Sequence, residues 1–286
     1  MKKRISLFDI INYGLLGLYA ALCFYSLWNI IVVSFSTLQS YNRDMYHIIP
    51  YGYTLDNYKR VFLEDHMISG FFNSVKITTI GSPLGVFFAA MGGYAFSKRH
   101  LPGIKTAWKF VILTMYFSGG MVPSYLMVTG LGLKDSTWAL ILPMVVNTFY
   151  IIVCRTYFME LPASLEESAK IEGANEFVVL FRIIIPMSKP MMAAILLFFA
   201  VEYWNNFILA VFYIQDYDKI PLQLVIRNLL KGMEFSRFMP GATEMEAHME
   251  GKVMAAVMFC VLPIISVYPW LQKYFIKGVM IGAVKE

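Results

Sequence analysis

Charged residues are scarce in this chain. They make up 15% of its 286 residues, whereas an average soluble domain has about 25%. Hydrophobic residues reach 58%, and the mean hydropathy is +0.59. A water-soluble fold of this size could not bury so much apolar surface, so the composition predicts an integral membrane protein. The net charge of +5 does not indicate nucleic-acid binding, because the cations lie at the ends of apolar runs, where they orient a membrane protein.

Residues that carry chemistry are equally scarce. Cys23, Cys154 and Cys260 fall inside apolar runs, where a thiol behaves as a small buried hydrophobe. The four histidines show no metal-ligand spacing. A phosphate-binding loop is missing, because Gly251-Lys252 is followed by Val253 and lacks the upstream glycine. We therefore predict no catalytic residue, no bound metal and no cofactor in this chain.

Long apolar runs are what the sequence has instead. Six of them could cross about 30 Å of hydrocarbon as helices of about 20 residues. They are expected near residues 11–35, 68–96, 107–127, 137–157, 190–213 and 253–275. In lipid every backbone polar group must be satisfied within its segment, which favours helices, and the alternation of a membrane β-barrel is absent. The predicted fold class is all-α, one polytopic membrane domain over residues 1–286 with six transmembrane helices. The glycine pairs Gly92-Gly93 and Gly119-Gly120 are expected at close contacts between these helices.

The Lys and Arg residues are distributed unevenly between the two sides of the membrane. With the amino terminus inside, 14 of the 24 lie on the inner side and 10 on the outer side. Cytoplasmic loops carry such an excess. Both termini and the polar segment 161–189 are therefore predicted to be cytoplasmic, and the segment 214–252 to be extracytoplasmic.

The polar segment between the fourth and fifth runs predicts two short helices. Ser164 and Glu167 have the spacing of a capping box, which predicts that a helix starts at Ser164. Glu166 and Lys170 have the i, i+4 spacing of a favourable ion pair. Gly173 is expected to end this helix, because a left-handed residue is needed there.

A second, amphipathic helix is expected from about Asn175 to Pro186. Two short helices joined at a glycine corner would form a rigid knob beneath the membrane. Judged by its residues alone, the segment could equally be an amphipathic hairpin that lies on the lipid headgroups.

The same segment has the spacing of a known motif. Glu167-Ser168-Ala169, three residues, Gly173, nine residues and Ile183-Ile184-Ile185-Pro186 fit E-A-A-x3-G-x9-I-x-L-P. This pattern resembles the EAA motif of the permease subunits of binding-protein-dependent ABC importers, with Ser168 for the second alanine and Ile185 for the leucine. The resemblance implies a type I ABC importer permease fold with a cytoplasmic coupling helix.

In that family the first short helix docks in a cleft of the ATP-hydrolysing subunit. By resemblance, Glu167 would meet cationic groups of that subunit, Ala169 would allow close approach, and Gly173 would set the corner. The ATPase-coupling residues implied in this way are Glu166, Glu167, Ser168, Ala169, Gly173 and Ala174.

Further segments are similar to the permeases of carbohydrate importers, and they are residues 54–58, 73–74, 132–136, 139–143 and 204–205. The ending, residues 272–285, resembles the second of the two permeases of sugar importers, the type similar to the smaller maltose permease. The Met-rich outer segment 233–258 resembles the subgroup that imports complex or acidic oligosaccharides, such as alginate or rhamnogalacturonan fragments.

The resemblance also implies a set of partners. A permease of this type would translocate a sugar, and by subgroup an oligosaccharide, across the bacterial cytoplasmic membrane. It would form a heterodimer with a second, homologous permease, bind two ATPase subunits that carry ATP and Mg, and receive its cargo from an extracytoplasmic solute-binding protein. Phe235 and Met239, in the outer segment 214–252, would contact that binding protein.

One polar cluster lies within the fifth run. Glu202, Asn205 and Asn206 have the spacing of one helical face, and Tyr203 and Trp204 lie beside them. A charge at bilayer depth costs roughly 2.5–3.5 kcal/mol on insertion scales, so the glutamate should face protein or water. Two interpretations remain open. The cluster lines a translocation path, where amides bind sugar hydroxyls and aromatic faces stack on sugar rings, or it forms interhelical hydrogen bonds of about 0.6 kcal/mol each.

An ion-coupled secondary carrier of small polar solutes is the alternative function, with Glu202 as a proton relay. Such carriers contain inverted repeats and broken helices. Neither is visible in the sequence, and a carrier would leave the EAA-like spacing unexplained.

Overall fold

The structure of the chain, a computed structural model, describes residues 7–43, 46–49, 52–64, 66–236 and 249–267. Throughout these residues the regular secondary structure is helical, and an isolated β-bridge pairs Ser36 with Tyr53. The helices are α1 Leu7–Phe35, α2 Leu38–Arg43, α3 Asp56–Glu64, α4 Met67–Ser97, α5 Ile104–Tyr116, α6 Met121–Gly130, α7 Trp138–Val145, α8 Thr148–Glu160, α9 Ala163–Ile171, α10 Glu176–Met187, α11 Lys189–Asn205, α12 Ile208–Tyr213, α13 Leu222–Ser236 and α14 Met249–Val267. The prediction of an all-α fold is confirmed.

The helices that could cross a membrane are partly straight and partly bent. In the described part of the chain, α1, α4 and α14 are each long and apolar enough to do so. Three helix pairs pass the same test jointly but are bent: α5–α6 by 110°, α7–α8 by 44° and α10–α11 by 88°. The number of candidate spans is therefore three, or up to six if each bent pair is one span, and six runs were predicted. Of the run predicted over 253–275, residues 268–275 lie outside the described residues.

A glycine interrupts the run predicted over 107–127. Gly120 has a φ of 84°, a backbone conformation that glycine adopts without steric cost, and α6 starts directly after it. Among the described residues, a Cβ on this glycine would have no neighbour within 4 Å. The pair Gly119-Gly120 therefore marks a sharp bend, and the close helix contact predicted for it is wrong.

Asparagines mark two further breaks. Asn147, between α7 and α8, has an extended backbone, and its Oδ1 accepts a 2.9 Å hydrogen bond from the Phe149 N–H. Asn206, after α11, is also extended, and its Oδ1 accepts a 3.1 Å hydrogen bond from the Leu209 N–H in α12. An asparagine side chain can cap a new helix in this way because it supplies an acceptor that the backbone lacks. The runs predicted as continuous helices over 137–157 and 190–213 are therefore broken, since apolar composition indicates depth in lipid and not continuity of a helix.

The described residues belong to two compact units. One contains those of Met1–Ile68 and Val225–Pro263, and the other contains those of Ser69–Leu224 with residues 264–267. In the first unit, the Asn57 Nδ2 donates 3.1 Å hydrogen bonds to the carbonyls of Ser34 and Ser36, at the end of α1 where helical carbonyls lack partners. Gly251 packs directly on this buried amide, because a Cβ there would lie 2.8 Å from the Asn57 Nδ2.

In the second unit, small residues on α4 let α11 approach closely. A Cβ on Gly81 would lie 2.6 Å from the ring of Tyr203, and one on Gly85 would lie 2.7 Å from the ring of Phe199. Aromatic rings can occupy these positions only because the glycines have no side chain. The packing of α4 on α11 therefore places the polar cluster of α11 next to the longest helix of this unit.

The C-terminal half of α4 packs on α8 by the same principle. A Cβ on Gly93 would lie 2.3 Å from the Cys154 Cβ, and one on Gly92 would lie 3.3 Å from Ile151. The Arg155 Nε also donates a 2.9 Å hydrogen bond to the Phe96 carbonyl near the end of α4. The close contact predicted for Gly92-Gly93 is confirmed.

Candidate functional site

The first helix of the polar segment, α9, begins one residue earlier than predicted. Pro162 precedes it and provides no side-chain cap. Proline has a φ near the helical value and no N–H to satisfy, so the chain can enter a helix directly after it. Ser164 therefore lies within the first turn, and the capping box predicted from Ser164 and Glu167 is wrong.

The glycine corner at the end of α9 is confirmed. Gly173 has a φ of 83°, and its N–H donates a 3.0 Å hydrogen bond to the Lys170 carbonyl. The Ala174 N–H donates a 2.9 Å hydrogen bond to the Ala169 carbonyl. These two bonds satisfy carbonyls that the helix end would otherwise leave unpaired. Asn175 then caps α10, because its side chain accepts a hydrogen bond from the Val178 N–H.

One face of α9 is exposed. Ser164, Glu167 and Ser168 lie on it, together with Ile171, which is 87% exposed. The spacing of these residues places them along one side of the helix. Ala169, in contrast, is buried within this chain. A large aliphatic side chain beside a glutamate on an otherwise polar face can bind a partner through both apolar and charged contacts.

The charged residues of α9 do not form the i, i+4 pair that their spacing predicted. Glu166 instead forms an ion pair with Lys98, just after α4, and only 9% of the lysine side chain is exposed. Lys170 forms an ion pair with Glu176 at 2.6 Å, and this hydrogen bond raises the pKa of the lysine. Each residue therefore joins α9 to another helix.

Tyr94 completes this cluster. Its hydroxyl donates a 2.5 Å hydrogen bond to the Glu176 carboxylate, and the Lys98 Nζ lies 4.1 Å from the centre of its ring. A cation over an aromatic face is attracted to the ring electrons. Tyr94, Lys98, Glu166, Lys170 and Glu176 thus form a connected set, called the latch below, that joins α4, α9 and α10. A cleft of about 560 Å³ lies beside it and is bordered by Lys98, Glu166 and Glu167.

A second polar site lies at the break between α7 and α8. A cavity of about 350 Å³ is lined there by Asn147, Thr148, Phe149 and Glu202. The Tyr150 hydroxyl donates a 2.7 Å hydrogen bond to the Glu202 Oε1. The arrangement offers carboxylate, amide and hydroxyl groups next to an exposed aromatic ring, a combination suited to a polyhydroxylated ligand.

The other members of the predicted cluster have separate surroundings. The Tyr203 side chain is buried and its hydroxyl donates a 3.0 Å hydrogen bond to the Ile141 carbonyl, while Trp204 is buried against Phe71. The Asn205 Oδ1 accepts a 3.2 Å hydrogen bond from the Gln223 Nε2. Because α11 ends at Asn205 and Asn206 caps α12, the three polar residues do not share one continuous helical face as predicted.

The loops before α7 and after α12 are joined by a carboxylate. The Asp135 Oδ1 accepts 3.1 Å hydrogen bonds from the N–H groups of Gln215 and Asp216, and its Oδ2 lies 3.5 Å from the Lys219 Nζ. The Asp216 N–H is the main reason that the pKa of Asp135 is lowered. Within the outer segment, Phe235 is 65% exposed on α13, whereas Met239 lies outside the described residues.

Several residues of both sites were missed by the sequence analysis. Tyr94 was interpreted only as a residue of the run 68–96 and Lys98 only as an inner-side cation, although a lysine one turn away from an aromatic residue is a usable signal. Asn147 was visible as a lone amide in an apolar run. The pairing of Tyr150 with Glu202 had no local signal. Within the described residues, no group of three His, Cys, Asp or Glu side chains could hold a metal ion.

Comparison with known proteins gives consistent matches over the whole chain. A protein-family model described as "Binding-protein-dependent transport system inner membrane component" matches residues 81–281. The polygalacturonan/rhamnogalacturonan transport system permease protein YtcP of Bacillus subtilis (strain 168) is 38% identical over 290 residues, which cover 100% of this chain and 100% of that protein. Protein LplC of the same strain is 41% identical over 282 residues, 97% of this chain and 95% of that protein. A chain in a crystal structure of a bacterial ABC transporter involved in the import of the acidic polysaccharide alginate has a TM-score of 0.87 and 30% identity, and covers 96% of this chain and 99% of that one.

Proposed function

The chain belongs to the family of inner membrane components of binding-protein-dependent transport systems, the permeases of ABC importers, and we propose that it imports an oligosaccharide as one of two permease subunits. The observation that carries this proposal is the glycine-cornered helix α9, which exposes Glu167 and Ile171 next to the latch. A secondary carrier needs no such helix.

The partners follow from the family and from the missing phosphate-binding loop. A second, homologous permease forms a heterodimer with this chain, and two ATPase subunits carry ATP and Mg. This chain is not an enzyme, and hydrolysis takes place on those subunits. An extracytoplasmic solute-binding protein delivers the cargo. The distribution of Lys and Arg supports a multi-pass orientation with both termini in the cytoplasm.

The exposed face of α9 is the docking surface for an ATPase subunit. Glu167 supplies charge and Ile171 supplies apolar contact area. The small side chain of Ser168 lets the partner approach the helix closely. Gly173 and Ala174 fix the angle at which α10 leaves α9, through the two hydrogen bonds of the corner. Glu166 and Ala169 act from within the chain, as an ion-pair partner and a buried packing residue.

The cargo class is an acidic oligosaccharide. YtcP is named for polygalacturonan and rhamnogalacturonan transport, and the transporter of the solved structure takes part in alginate import. All three polymers are acidic polysaccharides, so this chain passes fragments of such a polymer. Competition of unlabelled galacturonate oligomers and neutral malto-oligosaccharides against labelled cargo, in vesicles with the cognate binding protein, tests the class. Stronger competition by the neutral sugars would contradict it.

The translocation path passes the cavity at the break between α7 and α8. Glu202 lines this cavity directly, and its carboxylate oxygens accept hydrogen bonds from sugar hydroxyls. Asn205 is exposed at the end of α11. Tyr203 and Trp204 are buried and Asn206 is half-buried, so these three residues hold the helices of the path in position. In the outer segment 214–252, Phe235 and Met239 contact the binding protein. Single cysteines at these two positions should crosslink to it, and labelling only after cell lysis would contradict their outer location.

The decisive experiment uses the complete complex in proteoliposomes. Uptake of labelled oligosaccharide should require ATP on the ATPase side and binding protein on the other, and it should persist when ion gradients are dissipated by ionophores. The broken helices of this fold are compatible with a carrier, so this control is necessary. Uptake that collapses with the ion gradient and ignores ATP would favour the ion-coupled carrier.

A further inference from the structure

The latch connects the docking surface to α4, a helix that packs on α11 next to the cavity residue Glu202. Tyr94 and Lys98 lie one helical turn apart at the end of α4, and they contact α10 and α9 through Glu176 and Glu166. Further along the same helix, Gly81 holds the ring of Tyr203, the neighbour of the cavity residue Glu202. The two candidate sites are therefore joined by one continuous, tightly packed helix.

Lys98 is not placed as a surface charge. Its side chain is almost fully buried, so its ammonium group has lost most of its water. A buried charge is tolerated when it is paired and hydrogen-bonded, and here Glu166 and the ring of Tyr94 supply those contacts. If α9 moved and the end of α4 did not, the ion pair between Lys98 and Glu166 would break and this largely buried ammonium would lose its carboxylate partner. Separation of the two elements is consequently unfavourable, and they are expected to move together.

A second contact, between Tyr94 and Glu176, fixes the orientation of α9 and α10 relative to α4 as well as their distance from it. A single ion pair would allow α9 to pivot about the lysine. The hydrogen bond from Tyr94 to Glu176 holds α10 to the same face of α4, and the ion pair between Glu176 and Lys170 closes the connection back to α9. Three helices joined at three points cannot rotate independently without breaking a contact.

We propose that Lys98 and Tyr94 are positioning residues that fasten the coupling segment α9–α10 to α4, so that a displacement of α9 becomes a displacement of α4 against α11, the helix that carries the cavity residue Glu202. This inference rests on the proposed function, because the displacement is the one that an ATPase subunit imposes on its docking surface. The latch itself does not bind that subunit. Its loss should leave the complex assembled while hydrolysis and transport become uncoupled.

The test is a double-mutant cycle on the reconstituted complex. Lys98→Met and Glu166→Gln, alone and combined, are compared for bound ATPase subunits, basal hydrolysis, cargo-stimulated hydrolysis and sugar imported per ATP. Each single variant should retain its ATPase subunits and lose at least about fivefold in sugar imported per ATP, the lower end of typical coupling between sites. The double variant should be no worse than either single one, because both remove the same contact.

Two further variants keep the test independent of folding. Tyr94→Phe retains the ring and removes only the hydroxyl, and it should lower the import-to-hydrolysis ratio without lowering yield. The exchanged pair Lys98→Glu with Glu166→Lys should recover part of the ratio lost by either exchange alone. Lys105→Met, an equivalent change at an exposed lysine of α5, is the matched control and should leave the ratio unchanged.

The possible outcomes distinguish a failure of the latch proposal from a failure of the proposed function. Normal import per ATP in Lys98→Met, or additive losses in the double variant, would overturn the latch while leaving the permease function intact. Loss of bound ATPase subunits in Lys98→Met would make the residue part of the docking surface and would also overturn the latch. A wild-type complex without ATP-driven uptake would overturn the proposed function itself.

Discussion

The Tyr150 hydroxyl on α8 donates a 2.7 Å hydrogen bond to the Glu202 carboxylate on α11, beside the cavity at the break between α7 and α8. The bond holds one carboxylate oxygen and fixes the orientation of the other. A carboxylate held in this way is a pre-oriented acceptor for a sugar hydroxyl, and pre-orientation lowers the entropy lost on binding.

Glu202→Gln and Glu202→Leu should therefore differ. Glutamine keeps an acceptor for Tyr150 and for sugar hydroxyls, so uptake should fall by no more than about fivefold, the equivalent of roughly one neutral hydrogen bond. Leucine leaves the Tyr150 hydroxyl unpaired at a cost of about 1–3 kcal/mol and removes the sugar contact, so uptake should fall further. Initial uptake rate, complex yield and melting temperature are measured on the same preparation. Normal uptake per folded complex in Glu202→Leu would exclude this residue from the path.

Asn205 permits a matched comparison of the two interpretations of the polar cluster. Asn205→Leu and Gln223→Leu both remove the 3.2 Å hydrogen bond between these side chains, which contributes about 0.6 kcal/mol if it is typical of membrane proteins. If Asn205 lines the path, only its own substitution should reduce uptake at unchanged yield. Equal losses of stability in both variants, with normal uptake per folded complex, would assign the residue to interhelical hydrogen bonding alone.

The parts of the molecule that could be predicted are those with local causes. The corner at Gly173 depends on backbone geometry within a few residues, and the spacing in the sequence was sufficient to locate it. The partner of Glu166 could not be predicted, because Lys98 is 68 residues away and Lys170 offered a nearer charge at an ideal spacing. Burial explains the observed pairing, since only 9% of the Lys98 side chain is exposed and a buried ammonium depends more on a carboxylate partner than an exposed one does.

The helix breaks at Asn147 and Asn206 show a different limit of prediction from the sequence. Asn206 was assigned to the polar cluster, for which path lining and interhelical hydrogen bonding both remained open, and Asn147 was not singled out. In the structure both side chains cap a new helix, a local backbone role that hydropathy cannot distinguish from ligand binding. Asn147 both caps α8 and lines the cavity, whereas Glu202 lines the same cavity without capping a helix.

Substitutions of Gly173 should differ in effect according to how readily the new residue adopts a left-handed backbone conformation. A Cβ at this position would meet none of the described residues within 4 Å, so the effect of substitution is expected to come from the φ of 83°. Gly173→Ala should cost about 1–2 kcal/mol at the corner and weaken binding of the ATPase subunits, whereas Gly173→Asn should be tolerated better because asparagine adopts left-handed conformations more readily. The measurement is the amount of ATPase subunit that co-purifies, together with cargo-stimulated hydrolysis. Equal behaviour of the two variants would argue against a conformational role.

Asp135 should make the loops before α7 and after α12 sensitive to acid. Its pKa is lowered in the folded chain, so its contribution is present above the unfolded pKa of about 3.9 and is lost as the pH falls through the lower folded value. Asp135→Ala should increase hydrogen exchange at the amides of Gln215 and Asp216, the two groups that it accepts from. Asp135→Asn retains an acceptor oxygen but not the charge next to Lys219, and should keep more protection while losing the acid dependence. Unchanged exchange in the alanine variant would show that these amides are held by other contacts.

Ile171 provides the most direct test of the docking surface. The side chain is 87% exposed, so Ile171→Ser should change the stability of the chain by no more than about 0.5 kcal/mol. If the exposed face of α9 binds an ATPase subunit, the same change should greatly reduce the amount of that subunit that co-purifies, and Glu167→Lys should do so as well through the reversed charge. Leu63→Ser is the matched control, because this leucine is 84% exposed on α3 and is assigned to no docking surface. Equal retention of ATPase subunits by all three variants, with cargo-stimulated hydrolysis near the wild-type value, would mean that α9 docks through a different face or not at all.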